Sequence, residues 1–146
     1  MVLKKIYWYI YVLIKIIKIN GRLKKEGIKS VHQKHFQQNK ELPELRNVPK
    51  EEVEFIYFIL NIIDAVCFYY IGKARCLHRS VAGYEIFMKK KIPIDLVVGV
   101  SKFPFMAHAW LEYNGRVVND EGDMRNKYTI QMDTSILRKK RKDRII

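Results

Sequence analysis

Cysteine, proline, glycine and acidic side chains are all scarce in this sequence, and each scarcity removes a class of protein. Two cysteines, Cys67 and Cys76, cannot build a disulfide scaffold. They fit a reducing compartment such as the cytoplasm, and leave at least one free thiol to explain. No glycine-rich phosphate loop, zinc-finger spacing or internal repeat occurs. No alanine precedes Ala65, so the apolar run from Ile6 to Ile19 lacks the small-residue cleavage site of a secretory signal. That run, interrupted by Lys15 and Lys18, is also shorter than the ~20 residues that span a bilayer. The 15 acidic residues face 28 basic ones, for a net charge of +13. Anionic partners are therefore favoured, whether nucleic acid, a membrane surface or an acidic peptide. Part of the excess is local, because Arg138, Lys139, Lys140, Arg141, Lys142 and Arg144 stand against Asp143 alone. No nucleic-acid motif accompanies the charge.

What is present is enough for one folded domain. The 146 residues are 49% apolar and 12% aromatic, ample for a core and unlike a disordered chain. Residues 1–146 read as a single α+β domain in three parts: a helical region 1–50 that docks a partner or a membrane, a core 51–136, and a basic tail 137–146. Helix 6–19 packs on this domain or on a partner; an interfacial helix with lysines at head-group level is the competing reading. Asn20-Gly21 looks like its stop, and Leu23 to Gln38 forms a second, polar helix. Pro49-Lys50-Glu51-Glu52 opens a third, which runs to about Gly72, since acids in a first turn complement the helix dipole. A fourth spans Cys76 to Lys90, with Ser80, Ala82 and Gly83 permitting close packing.

Beyond Ile92 the period changes from helical to stranded. Ile94 to Val100 is a β-branched run, and Ala107–Tyr113 and Arg116–Asp120 flank Asn114-Gly115, a strong hairpin signal. Tyr128 to Met132 adds a fourth strand. Helices followed by antiparallel strands give the α+β class.

The chemistry concentrates in Cys76, His108 and Asp120. Cys76 opens a helix just after Gly72-Lys73-Ala74-Arg75, where exposed amides, the dipole and two cations favour a thiolate. A thiolate nucleophile needs a base, and the base needs an orienting partner. His108 and Asp120 lie on the two arms of one hairpin. A two-residue turn would pair Tyr113 with Arg116 and set His108 and Asp120 on opposite faces, because side chains alternate. A three-residue loop, Tyr113-Asn114-Gly115, pairs Glu112 with Arg116 and His108 with Asp120, so the dyad predicts that loop. Taken singly, each residue has an ordinary alternative: a small buried thiol, a half-buried histidine, a loop cap. Cys67 reads as core. His32, His35 and His78 read as surface. Cys76, His78, His108 and Asp120 lack the spacing of a zinc site. Trp110 is core or pocket wall.

Cys76-Leu77-His78-Arg79-Ser80, Leu96-Val97-Val98-Gly99-Val100, Phe105-Met106-Ala107-His108-Ala109-Trp110-Leu111-Glu112 and Asn119-Asp120, in that order, resemble the transglutaminase-like cysteine peptidases of lasso-peptide biosynthesis, the B2-type maturation proteins. The resemblance is clear over Cys76 to Asp120 and looser in the helical half. It implies removal of the leader from a ribosomally made precursor peptide, with Cys76 as nucleophile, His108 as general base and acid, and Asp120 as orienting carboxylate. No cofactor and no metal are implied. The implied partners are the precursor leader, a separate leader-recognition protein (B1-type) and the ATP-using lasso cyclase. The chain departs from the expected pattern at His78, where proline is more usual. Two other functions fit the same residues: an acyl transferase that resolves the acyl-enzyme with an amine, and a catalytically silent basic scaffold.

Overall fold

The computed structural model describes residues 1–37, 41–71 and 76–139. Four principal helices come first: α1 (Val2–Glu26), α2 (Ile28–His35), α3 (Lys50–Ile71) and α4 (Cys76–Lys89). An antiparallel sheet follows, of β1 (Asp95–Lys102), β2 (Phe105–Tyr113), β3 (Arg116–Val117) and β4 (Thr129–Asp133), with the one-turn α5 (Met124–Lys127) before β4. Its strand order is β3-β2-β1-β4. The α+β class expected from the sequence is the observed one.

Side-chain alternation splits the sheet's two faces. Leu96 and Leu111 join the main core with Ile59, Ile63, Val81 and Phe87 from α3 and α4. Val97 and Trp110 point the other way, into a small cluster with Met124, Val117, Tyr128 and Ile130. Gly83 lets α4 approach the sheet closely: a Cβ there would lie 2.7 Å from Leu111 Cδ1.

The helical half differs from expectation at one place. Asn20-Gly21 does not stop α1, which continues to Glu26 and ends at Gly27, whose φ of 62° suits a residue without a side chain. Glycine inside a helix costs about 1 kcal/mol. Tertiary contacts override that cost, since Asn20 Oδ1 accepts a hydrogen bond from His78 Nε2 (3.0 Å) on α4. Trp8, Val12, Ile16 and Ile19 are buried along one face of α1. Its opposite face leaves Ile6, Tyr7, Ile10, Ile14 and Ile17 exposed. Helix α2 is shorter than the predicted Leu23–Gln38, and Gln38 lies outside the described residues. Among the described residues, 50–70 of α3 form the one helix apolar and long enough to cross a membrane. Ile56, Ile59, Leu60, Ile63 and Cys67 carry its inner face into the core.

Two histidines read as surface residues are buried: His78 at 4% exposure and His35 at 1%. Both have partners far away in sequence. His35 Nε2 lies 3.0 Å from Glu85 Oε1, which also receives Arg22 (2.6 Å) and Lys34 (3.0 Å), while Lys15 bonds Oε2 at 2.9 Å. Glu85 thereby ties α4 to α1 and α2. Burial alone would raise its pKa. The hydrogen bonds from His35, Arg22 and Lys15, with the Lys15 charge, instead hold the carboxyl well below the usual carboxylate range. At the other end of the chain, Arg138 donates to the Pro43 carbonyl (2.8 Å) and to Asp95 (2.9 Å), so this arginine, the first of the basic tail, is part of the fold. Residues 140–146 of that tail lie outside the described residues.

Removing the Glu85 charge should uncouple the helices. Glu85→Gln is expected to lower the urea-unfolding free energy by about 2–3 kcal/mol, the usual loss for breaking a buried pair, discounted for half-exposed lysines. Because the folded-state pKa is depressed, the stabilisation is complete above about pH 5 and drains away as pH falls. The variant should lose that acid dependence; an unchanged unfolding curve from neutral to acid pH would refute the role.

Candidate active site

Cys76 is the first residue of α4 and is partly exposed. The segment Gly72-Lys73-Ala74-Arg75, expected to add positive charge there, lies outside the described residues. The thiol sits at the margin of β2. It accepts hydrogen bonds from the backbone N–H of Ala109 and of Leu77, and is hydrogen-bonded to the side chain of His108. On the far side of the imidazole, His108 Nε2 lies 2.6 Å from Asp120 Oδ2. With Nε2 engaged, Nδ1 is the nitrogen left for sulfur. Asp120 is itself fixed through Oδ1, which accepts from the Glu121 N–H (2.9 Å). The three residues predicted from the sequence therefore form one chain of contacts.

They meet by a route other than the predicted one. The expected three-residue loop is absent. Asn114 (φ 48°) and Gly115 (φ 80°) make a two-residue turn, both in the left-handed region, and Tyr113 opposes Arg116. This is the turn that Asn-Gly favours, since its twist matches that of the flanking strands. Regular continuation would set His108 and Asp120 on opposite faces. The ladder is instead cut short. The Val118 N–H still donates to Leu111 O (2.9 Å), but the Leu111 N–H is taken by the side-chain Oδ1 of Asn119 (2.7 Å). A side-chain carbonyl thus replaces a main-chain one, and the backbone is free to turn and bring Asp120 to the His108 face.

The same asparagine is held by the helix that carries the thiol. Asn119 Nδ2 donates to Ser80 Oγ (3.0 Å), Ser80 Oγ donates to Ala109 O (2.9 Å), and Arg79 donates to Asn119 O (3.1 Å). Arg79 also pairs with Asp64 of α3 at 2.7 Å. Asn119 and Ser80 lie within the family-like segments, but the sequence marks Ser80 only as a small packing residue and assigns Asn119 no role; the folded hairpin links the two.

Behind His108, Tyr128 stacks at 5.3 Å and Trp110 at 6.0 Å between ring centroids. Trp110 is both core and wall. Gly99, opposite His108 on β1, makes room for Tyr128: a Cβ there would meet Tyr128 Cβ at 2.7 Å and the Trp110 ring at 3.0 Å. Beneath, Arg125 clamps buried Glu112 (2.8 Å) and Asp133 (2.8 Å), and Trp110 Nε1 donates to Glu112 (2.7 Å). Arg125 belongs to α5, which the sequence did not announce.

Electrostatics follow from this geometry. Burial pushes the Cys76 thiol up, but the His108 hydrogen bond, the two backbone N–H groups and the His108 charge outweigh it and hold the pKa below the ordinary value. His108 moves oppositely: its hydrogen bond to Cys76, against burial and with help from Asp120, raises its pKa. The two shifts together favour thiolate and imidazolium. Cys67 behaves as the core thiol it was expected to be, with burial pushing it up to about 11. Among the described residues no group of three His, Cys, Asp or Glu is arranged to hold a metal ion. A thiol, an imidazole and a carboxylate in this arrangement are suited to acyl transfer.

A family model for the transglutaminase-like superfamily matches residues 31–133. The chain belongs to that superfamily. It is also 31% identical over 121 residues to the microcin J25-processing protein McjB of Escherichia coli, a match covering 81% of this chain and 54% of that one. The chain thus spans about half the length of this relative. No solved structure gives a significant match. With these matches the resemblance read from residues 76–120 stands.

Two measurements test the site without substrate. Iodoacetamide should modify Cys76 with a pH midpoint below the ~8.5 of an ordinary thiol, while Cys67 stays unmodified in the folded protein. In His108→Ala the midpoint should rise, because burial is then opposed only by backbone N–H groups. An ordinary midpoint in the parent, unmoved by the substitution, would dismiss the contact. Asn119→Ala should raise the midpoint by a smaller step and cost about 1–3 kcal/mol of stability, as the buried Leu111 N–H loses its acceptor. An unshifted midpoint would show that Asp120 reaches His108 without the asparagine.

Proposed function

We propose that this chain is a cysteine peptidase that removes the leader from a ribosomally made lasso precursor peptide, acting with a separate leader-recognition protein in the reducing cytoplasm. The observation that carries the reading is the contact chain Cys76–His108–Asp120, with the thiol lowered and the imidazole raised in pKa. The likeness to a microcin-processing protein supports the substrate class. In this reading the Cys76 thiolate attacks the carbonyl at the leader–core junction. The His108 imidazolium protonates the departing amine, and the neutral ring then takes a proton from water as it hydrolyses the thioester. Asp120 fixes the ring's orientation and stabilises its charged form, as the third member of such sets does. The lasso cyclase acts on the released core, and the exposed outer face of α1 is available for a partner or a membrane contact.

The test is cleavage of a lasso precursor peptide in the presence of its leader-binding protein, followed by mass spectrometry. Expected products are a leader ending in a free carboxylate and a core with a free amine. Cys76→Ser and His108→Ala should each lower the rate at least ~100-fold, the order of loss for a missing nucleophile or general base. A leader carrying an amine adduct would mark an acyl transferase. Cleavage undiminished in Cys76→Ser, or absent in the parent, would defeat the peptidase reading.

A further inference from the structure

Among the described residues, the sheet has an unpaired edge beside Cys76. In an antiparallel ladder each residue turns its N–H and C=O together toward one neighbour, and successive residues alternate. The direction of β2 is fixed from both sides. The main chain of Leu96 faces β4, where its carbonyl accepts from Thr134 N (3.1 Å) and its N–H donates to Thr134 Oγ1 (3.0 Å). Val97 therefore faces β2, where its partner is Trp110. Trp110 and His108 then point their main chains inward, and Leu111, Ala109 and Ala107 point theirs outward. The outer partners agree: Leu111 is met by Val118 and Asn119, and Ala109 by Ser80 and the Cys76 sulfur.

At Ala107 the cover ends. β3 pairs only with Glu112 and Tyr113, and among the described residues nothing pairs with the outward N–H and C=O of Ala107. The flanking side chains are open as well: Phe105 is 76% exposed and Met106 48%. Met106 shares a face with His108, two residues along the strand.

We propose that the substrate is bound as an extended polypeptide strand added to this edge, with Ala107 N–H and C=O pairing with one of its residues. This rests on the peptidase reading above. Main-chain pairing supplies sequence-tolerant affinity, and alternate side chains set preference. A residue paired at Ala107 stands about 7 Å along the strand from Ala109, whose N–H touches the Cys76 sulfur. The next peptide carbonyl is thereby delivered to the thiol, and α4 blocks further pairing along the edge. Met106 lies beside the strand on the imidazole face and favours an apolar side chain near the cleaved bond.

Two experiments test strand addition. The first uses 15N-labelled Cys76→Ser protein and a synthetic peptide spanning the leader–core junction of a lasso precursor. Saturating peptide should slow amide exchange at Ala107 at least tenfold. Saturated binding with Ala107 exchange unchanged overturns strand addition alone; no binding at all, with the leader-recognition protein and a full-length precursor also present, overturns the peptidase reading with it. The second uses Ala107→Pro, which removes the outward N–H from an edge position that tolerates proline. KM for the junction peptide should rise at least tenfold while Cys76 alkylation keeps the parent's pH midpoint. An unchanged KM refutes the proposal. If the proline also disturbs alkylation, the exchange experiment on the unaltered edge decides between the two outcomes.

Discussion

The site depends on one hydrogen bond, from the Leu111 N–H to the Asn119 side chain. A hairpin with a two-residue turn has a strict two-fold alternation, and that alternation would direct Asp120 away from His108. Ending the ladder early would relieve the conflict, but it would leave the buried Leu111 N–H without an acceptor, at a cost of about 1–3 kcal/mol. An asparagine placed one residue before the aspartate answers both needs. Its oxygen closes the ladder and its main chain departs. Its Nδ2 then reaches Ser80 on α4, so the turn that presents Asp120 is fastened to the helix that presents Cys76. Three residues from separate elements are brought into register by a fourth.

Support from the opposite face is of another kind. Tyr128 and Trp110, themselves in contact, stack behind the His108 ring, which restricts its rotation without occupying either nitrogen. Both nitrogens are thus left for Cys76 and Asp120. The approach of Tyr128 needs the missing side chain at Gly99 and the ion-pair clamp of Arg125 on Glu112 and Asp133 beneath. Burial of these carboxylates is tolerable because the guanidinium satisfies them directly.

How much of this was legible in the sequence follows from the range of each signal. Helix α4, the β2–β3 hairpin at Asn114-Gly115 and the grouping of Cys76, His108 and Asp120 were readable, because period, turn residues and motif order are local. Asn20-Gly21 was misread as a stop because its compensating contact, His78, lies 58 residues away. For the same reason His35 and His78 passed for surface residues. The loop was misjudged for a subtler reason. Demanding that His108 face Asp120 through a regular ladder forced a three-residue loop, whereas the Asn114-Gly115 pair was already stating its own preference for a two-residue turn. A ladder closed by a side chain has no periodic signature, so the conflict between the two signals was itself the clue.

Long-range contacts also change what the charge and the helical half mean. A net +13 invites a search for an anionic partner, yet several of the cations are engaged within the fold. Lys15, Arg22 and Lys34 converge on Glu85, Arg125 on Glu112 and Asp133, Arg79 on Asp64, and Arg138 on Asp95. Most of these pairs join elements distant in sequence, so they act as internal ties more than as a binding surface. Glu85 is the clearest case, since it anchors the second half of α4 to α1 and α2. Ser80 and Arg79 anchor the first half of the same helix to β2 and the Asn119 turn. Cys76, one turn before Ser80, is therefore carried by a helix held at two points along its length. The helical region and the sheet place the thiol jointly, and its distance to His108 is a property of both.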